Sequence, residues 1–209
     1  MNASDHKHDG HLGAAYEAKG AEEVAAVYDG WAESYDAEMA RAGYRHPAVG
    51  LAMLARFAPE RAGPVLDAGC GTGLMGDWLN LLGFRPVVGL DLSAGMLAIA
   101  QCRGCYEELH RLALGEPLPF ADGGFANVIS IGVFTTGHVG AEGLPELARV
   151  LRPGGAMVLT VKTTLWEGAI RPALEGDGRL SILDVTAPYV SMPGEQGTLP
   201  SVAVAVRRL

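Results

Sequence analysis

Two acids and three glycines are the residues of this sequence best suited to do chemistry together. Asp67 closes the short apolar run Val65-Leu66, Gly69, Gly71 and Gly73 follow at alternate positions, and Asp91 closes the next apolar run, Pro86-Val87-Val88-Gly89-Leu90. An apolar run, an acid and alternating glycines ahead of a helix-forming segment describe a strand that turns sharply against a small ligand. No Lys or Arg lies between Val65 and Phe84. A carboxylate at that turn repels a pyrophosphate and attracts an ammonium or sulfonium group. An acid at the end of the second run is suited to accept hydrogen bonds from two ribose hydroxyls. A cationic nucleoside without phosphates satisfies both acids, and S-adenosylmethionine is the common cofactor of that description. Gly71-Thr72-Gly73-Leu74-Met75-Gly76, with Asp91 about twenty residues on, also satisfies the G-x-G-x-x-G pattern of a nicotinamide dinucleotide site. The pattern alone leaves both open. Placement separates them, because in a dinucleotide site the first glycine directly follows the strand and no acid faces the pyrophosphate.

Other residues qualify as chemical participants. Gly132-Val133-Phe134-Thr135-Thr136-Gly137-His138 follows a predicted strand, at the carboxyl edge where open α/β sheets place reacting groups. His138 is the candidate general base, because an unperturbed imidazole accepts a proton near neutrality; a loop histidine that only orders the turn is the competing reading. Tyr28, Trp31 and Tyr35 form an aromatic stripe that can close over a sulfonium or simply pack. His46 and Arg45, after Tyr44, either edge an acceptor pocket or face solvent. Cys102-Arg103-Gly104-Cys105 is a lone C-x-x-C at the end of a predicted helix, with Gly104 available as a cap. No metal site is expected from it, nor from His6, His8 and His11. The sequence has no Gly-Lys-Ser/Thr loop, G-x-S-x-G elbow or H-E-x-x-H, so it offers no hydrolase signal.

Asp67 to Gly73 matches the D-x-G-x-G-x-G motif of class I S-adenosylmethionine-dependent methyltransferases, and more of the chain resembles that superfamily. Asp91 to Leu97 resembles its acid-containing second motif, Pro117-Leu118-Pro119-Phe120 with Phe125 the approach to its fourth strand, and Leu151 to Gly155 the turn before its fifth. Tyr28-Asp29-Gly30-Trp31-Ala32 with Tyr35-Asp36, Gly132 to Gly140, and Glu116 to Pro119 are most similar to the methyltransferase-like proteins of the Williams-Beuren region and their bacterial relatives. The resemblance spans residues 21 to 209 and is strongest from 65 to 160. It implies methyl transfer from S-adenosyl-L-methionine. Cofactor contacts would come from Tyr28, Trp31, Tyr35, Asp67, Gly69, Gly71, Gly73, Asp91, Leu92, Met96, Ala113, Leu114 and Ile131, with residues 21–60 as a helical lid. One departure concerns adenine. Where the superfamily commonly carries an acid after the third strand, this chain has Ala113, so adenine would rest on backbone near Ala113 and Leu114 and on Leu92 and Met96. At Phe125-Ala126 relatives usually have Phe-Asp, an acid with a structural role.

The elements that must hold these residues follow from periodicity. Val24, Val27, Tyr28, Trp31, Tyr35 and Met39 recur at helical spacing, and His46 to Phe57 reads as a second helix. Beyond the loop 59–64 the chain alternates strand and helix: strands at 65–67, 86–90, 108–113, 126–131 and 156–162, helices at 73–82, 94–103 and 142–151. A helix at 165–174 and two closing strands at 180–185 and 201–206 complete it. This alternation predicts a mostly parallel sheet with helices on both faces, and the resemblance implies its Rossmann-like three-layer α/β form, a seven-stranded sheet with an antiparallel closing strand. Residues 1–20 read as a mobile tail, and 188–200 as the main flexible connection. The 209 residues, 49% hydrophobic, suit one domain, and a net charge of -8 disfavours nucleic acid as a partner. No run is long enough to span a bilayer, and three cysteines fit a reducing compartment. The expectation is a cytoplasmic enzyme, monomer or homodimer, acting on a small-molecule acceptor without membrane or nucleic-acid partners. A protein methyltransferase and a non-catalytic S-adenosylmethionine-binding module are the alternatives.

Overall fold

The structure is a computed structural model and describes residues 10–58, 61–135 and 137–209. His6, His8 and Thr136, named above, lie outside the described residues. Seven strands, β1 (Ala62–Ala68), β2 (Arg85–Asp91), β3 (Glu108–Arg111), β4 (Phe125–Phe134), β5 (Leu151–Lys162), β6 (Leu180–Val185) and β7 (Ser201–Arg208), form one sheet in the order β3-β2-β1-β4-β5-β7-β6. β7 runs antiparallel to both neighbours and the remaining pairs are parallel, as the sequence predicts. The chain leaves β1 toward β2 and β3, then returns to add β4 and β5 on the other side. That reversal opens a crevice at the carboxyl ends of β1 and β4, where such sheets bind ligands.

The sheet is covered on both faces, which is why its central strands read as continuous apolar runs. Side chains alternate: Leu66, Val128, Met157, Leu159 and Val204 enter one core with Leu144, Leu147, Trp166 and Ile170. Val65, Ile129, Val158 and Ala203 enter the other with Met53, Leu54 and Leu79. The helices supplying these layers are α3 (His46–Phe57), α4 (Gly76–Leu81), α5 (Ala94–Arg103) and α6 (Leu144–Val150), the last preceded by a 3-10 turn at Ala141–Gly143. From Thr163 to Gly176 the chain is helical but irregular, with a π-turn at Trp166–Ile170. Arg149 ties α6 to the segment before β4: it pairs with Glu146 and Asp122 and donates to the carbonyls of Leu118 and Phe120.

Several boundaries differ from expectation for identifiable reasons. β1 begins at Ala62 because a register irregularity between Ala62 and Val65 accommodates Pro64, which has no N–H for the ladder. α4 starts at Gly76 instead of Gly73, since residues 70–76 are spent on two tight turns, Gly73 N–H to Cys70 O and Gly76 N–H to Gly73 O. β4 runs to Phe134 through a bulge: between the pairs Ser130↔Leu159 and Phe134↔Val161, β4 advances four residues and β5 two. Gly132 lies in it at φ 77 and its N–H turns to Thr160 Oγ1 at 2.8 Å. Bulges of this kind re-aim side chains beside active sites.

The N-terminal residues correct one expectation outright. Instead of belonging to a mobile tail, Gly10–Glu17 form a helix, α1, packed on the long α2 (Gly20–Ala42). Ala15 is buried, His11 stacks on Trp31 at 5.6 Å and also meets Glu38 at 3.4 Å. The signal was missed because two small residues and one aromatic make too weak a stripe to register. The connection at 188–200 is likewise tied down, by a bridge between Tyr189 and Ser201, by Arg45 N–H to Ser191 O, and by Gly194 N–H to Ala42 O. With its side chain wholly buried in the centre of β5, Leu159→Ala should cost about 2–5 kcal/mol in urea unfolding. A loss within 0.5 kcal/mol of zero would contradict this account of the core.

Candidate functional site

The glycine turn is bolted to the end of β2. Gly69 and Cys70 N–H both donate to Leu90 O, at 2.8 and 2.9 Å, and Gly71 N–H donates to Asp91 Oδ2 at 2.8 Å. Asp91 Oδ1 accepts Ser93 N–H at 2.9 Å, so each carboxylate oxygen is oriented by one backbone donor and keeps a lone pair. Burial pushes Asp91 above the ordinary carboxylate range, and the Ser93 and Gly71 amides oppose that shift. Gly69 has φ 81, and a Cβ there would fall 2.2 Å from Val133 Cγ2, so β4 admits no side chain at that position. Gly73, φ 85, has another reason: its missing Cβ makes room for Tyr106 and Arg103.

Asp67 lies deeper. It is fully buried, accepts the Tyr106 hydroxyl at Oδ2 over 2.7 Å, and is pushed up to about 7, mainly by desolvation. A carboxyl so removed from water is poised to gain a cationic partner.

Two cavities lie side by side at the carboxyl edge. The first encloses about 940 Å3 including its open mouth. Gly69, Gly71, Asp91, Leu92, Met96, Ala113, Leu114, Ile131, Tyr28, Tyr35 and His138 line it. The second, about 490 Å3 by the same measure, lies beneath α1 and α2 and shares Tyr28, Tyr35 and Gly132 with the first. Asp67 faces a small recess behind the glycine turn with Tyr35, Tyr44 and Gly71.

Helix α2 roofs both cavities and is fastened at two points. Asp29 accepts Ser93 Oγ at 2.5 Å and Gly95 N–H at 2.8 Å, which also completes the capping of α5, and these bonds hold Asp29 below its ordinary pKa. Asp36 accepts Thr72 Oγ1 at 2.5 Å and pairs with Arg103, whose Nε donates to Thr72 O at 2.6 Å. A Cβ on Gly95 would sit 3.0 Å from the Asp29 backbone, so α2 and α5 touch main chain to main chain.

The structure therefore brings eleven sequence-predicted site residues onto one cavity and places three elsewhere. Trp31 is buried behind Tyr28, donates Nε1–H to Glu38 and lines the second cavity. Asp67 faces the recess, and Gly73 lines none of the three. His138 meets the Tyr28 hydroxyl at Nε2 over 3.0 Å. His46, one of whose readings was solvent-facing, is buried in the second cavity, bonded to the Tyr189 hydroxyl at 2.7 Å and held at about 3 by burial and by Lys162. Arg45 is exposed. Gly104, φ 66, caps α5 as expected. Among the described residues no His, Cys, Asp and Glu cluster suits a metal ion, and no helix is long and apolar enough to cross a membrane. Sequence reasoning gave no role to Asp29, Asp36, Tyr106, Arg103, Tyr44 or Lys162. Lys162 carried a usable signal, a single charge ending the apolar run Ala156 to Val161; Tyr106 and Arg103 act only through tertiary contact.

The buried groups set opposite pH dependences. Asp67 moves from 3.8 to about 7 on folding, so the folded state binds an extra proton between those values and stability is lost as pH rises through them. His46 moves from 6.5 to about 3, so stability is lost as pH falls below about 6.5. In denaturant titrations of the ligand-free protein from pH 4 to 8, Asp67→Asn relative to the parent should gain stability steadily up to about pH 7 and then level off. A difference independent of pH would mean that Asp67 titrates as an ordinary carboxylate.

Comparison with known proteins agrees with this geometry. Residues 66–159 match the family model described as a methyltransferase domain. Methyltransferase-like protein 27 of Homo sapiens is 38% identical over 151 residues, 71% of this chain and 61% of that protein. A malonyl-(acyl-carrier protein) O-methyltransferase of Pseudescherichia vulneris is 37% identical over 149 residues, 70% of this chain and 55% of that protein. The chain thus spans between half and two thirds of these relatives' length. Geranyl diphosphate C-methyltransferase from Streptomyces coelicolor A3(2), solved with S-adenosyl-L-homocysteine, shares the fold with a TM-score of 0.61 at 15% identity, over 78% of this chain and 76% of that one. With the motif, the sheet order and these matches in agreement, the chain belongs to the class I S-adenosylmethionine-dependent methyltransferases.

Proposed function

We propose that this protein transfers the methyl group of S-adenosylmethionine to a small-molecule acceptor, with the nucleoside in the first cavity and the acceptor in the second. What supports this reading is that the two cavities share Tyr28, Tyr35 and Gly132 as a common boundary, beneath a helix bonded to both motifs. The residues present fit the cofactor. Asp91 offers two oriented carboxylate oxygens to a ribose diol, and Leu92, Met96, Ala113 and Leu114 offer an apolar slot to adenine without an acid. The buried Asp67 recess suits the ammonium end. When bound, S-adenosylmethionine supplies an electrophilic methyl on a sulfonium whose leaving thioether is neutral. The chain's own part is then alignment and exclusion of water, which α2 and the β4 bulge provide by walling the junction. Tyr28 and Tyr35 present aromatic rings there, a favourable surface for positive charge.

His138 is assigned the role of general base for acceptors whose nucleophile carries a proton, with Tyr28 holding its ring. Enclosure beneath α1 and α2, together with a net charge of -8, favours metabolites over nucleic acid or a folded protein, and cytoplasmic residence accords with the cysteine usage.

Calorimetry should give saturable binding of S-adenosylhomocysteine and none of NAD or NADP. Asp91→Asn should weaken binding of the product at least tenfold. The opposite nucleotide preference would sink the reading. Screened against a library of small acceptors, the protein should release S-adenosylhomocysteine with at least one of them; tight cofactor binding without release would mark a non-catalytic module. With such an acceptor, His138→Gln should lower kcat by roughly 10²–10⁴-fold and abolish the acidic limb of the pH profile while leaving product affinity within threefold. An unchanged pH profile would remove His138 from catalysis.

A further inference from the structure

The second cavity carries a charge that nothing so far has used. Lys162 ends β5, is almost wholly buried, and lines this cavity. Its Nζ donates to Leu199 O at 3.0 Å and makes no ion pair with any described residue. An ammonium has three donors, so one carbonyl leaves most of its hydrogen-bonding capacity and all of its charge unmatched. The same cavity is lined by three buried hydroxyls without a hydrogen-bond partner among the described residues, Thr135 Oγ1, Ser191 Oγ and Ser201 Oγ, and Ser201 lies opposite Lys162 in the β5-β7 ladder. Buried hydroxyls are ordinarily paired. Three left over in one cavity with a lysine that has no counter-charge make a donor set suited to an acceptor of opposite charge.

The remaining polar groups leave that charge uncompensated. His46 is held at about 3 and is therefore neutral at physiological pH, and burial holds Tyr44 and Tyr189 well above the ordinary phenol range, so both remain protonated. No Asp or Glu is among the described residues lining the cavity. The site therefore presents one net positive charge and several neutral donors, surrounded by Leu12, Trp31, Met39, Phe134 and Met192. A lone lysine balances a monoanion. A phosphate dianion would carry a second charge into an apolar enclosure with nothing to match it.

We infer that the acceptor is a small carboxylic acid, anchored by its carboxylate on Lys162 and the Ser191, Ser201 and Thr135 hydroxyls, with its apolar body against the aromatic walls. The inference rests on the assignment of the second cavity to the acceptor. It goes further by naming the acceptor's class and the residues that select it. Lys162 acts as a specificity determinant.

The test uses the full chain saturated with S-adenosylhomocysteine, whose binding is measured first, so that a failed cofactor assignment is distinguished from a failed acceptor assignment. Benzoate and butanoate are then titrated against benzamide and butanamide, with inorganic phosphate as a third probe, while the amide resonances of Ser191 and Ser201 are followed by NMR. The carboxylates should shift both resonances saturably, and the neutral amides and phosphate should bind at least tenfold more weakly. Lys162→Met should remove carboxylate binding while leaving cofactor affinity within twofold, since replacing a buried charge by an apolar side chain of similar length usually spares the fold. Ser191→Ala provides a milder second variant and should weaken the carboxylates severalfold. Equal binding of acids and amides, tighter binding of phosphate, or carboxylate binding unaffected by both variants would each overturn the inference.

Discussion

The site depends on the fastening of helix α2 to the carboxyl edge of the sheet. Two carboxylates do it. Asp29 reaches the α5 N-terminus through Ser93 and Gly95, and Asp36 reaches the glycine turn through Thr72 and Arg103. Each anchor lands on a cofactor motif, one on the loop after β2 and the other on the turn after β1. Charge-assisted hydrogen bonds of this kind are among the stronger ones available to a surface helix. Removing either would release the roof and loosen the turn beneath it. Both cavities take a wall from α2, which these bonds orient and which the buried cluster of Trp31, Ala32 and Met39 with Met96 and Met192 also holds in place.

The two cavities differ in electrical character. The nucleoside side is acidic: Asp91 at its wall and Asp67 in the recess behind the turn are both raised by burial, in the absence of a counter-cation. The far side is basic, with Lys162 alone and held at about 8 by burial. A cationic donor and an anionic acceptor would each enter the compartment of complementary sign, and the neutral strip at Tyr28, Tyr35 and Gly132 lies between them. Each partner offsets the desolvation cost its compartment has already incurred. The arrangement also rejects the reversed orientation, because an anion beside Asp67 and a cation beside Lys162 are both repelled.

Much of this was legible in the sequence. Alternation of apolar runs with amphipathic segments indicated the parallel sheet, two short runs at the end indicated its closing strands, and their antiparallel pairing came from the resemblance. Asp67, the three glycines and Asp91 marked the turn of the candidate site because their chemistry is local: an acid ending a strand and a chain reversal leave marks within a few residues. What stayed illegible is whatever the lid creates. Asp29 and Asp36 stood inside a recognisable motif, yet as acids on the polar side of an amphipathic helix they are indistinguishable from solvated ones until their partners, 36 to 67 residues away, are known. Tyr106 is a similar case. Burial, which gives a hydroxyl or an ammonium its significance, is a property of the assembled layers and not of the neighbouring residues.

The bulge in β4 shows how one local irregularity can couple these levels. Two extra residues between Ser130 and Phe134 carry Ile131, Gly132 and Val133 out of the ladder. Gly132 must lack a side chain, since a Cβ would fall 2.3 Å from the Tyr44 hydroxyl. Val133 in turn occupies the space that Gly69 leaves open. The glycines of β4 and of the turn after β1 are thus each demanded by their surroundings, and the result is that β4 presents backbone opposite the rings of Tyr28 and Tyr35 where the two cavities meet. A reacting group can approach main chain there more closely than any larger residue would permit. Under the proposed function, methyl transfer, which asks chiefly for alignment, would be served by a bulged strand, a roof and two opposed charges, with proton removal by His138 added only where the acceptor has a proton to lose.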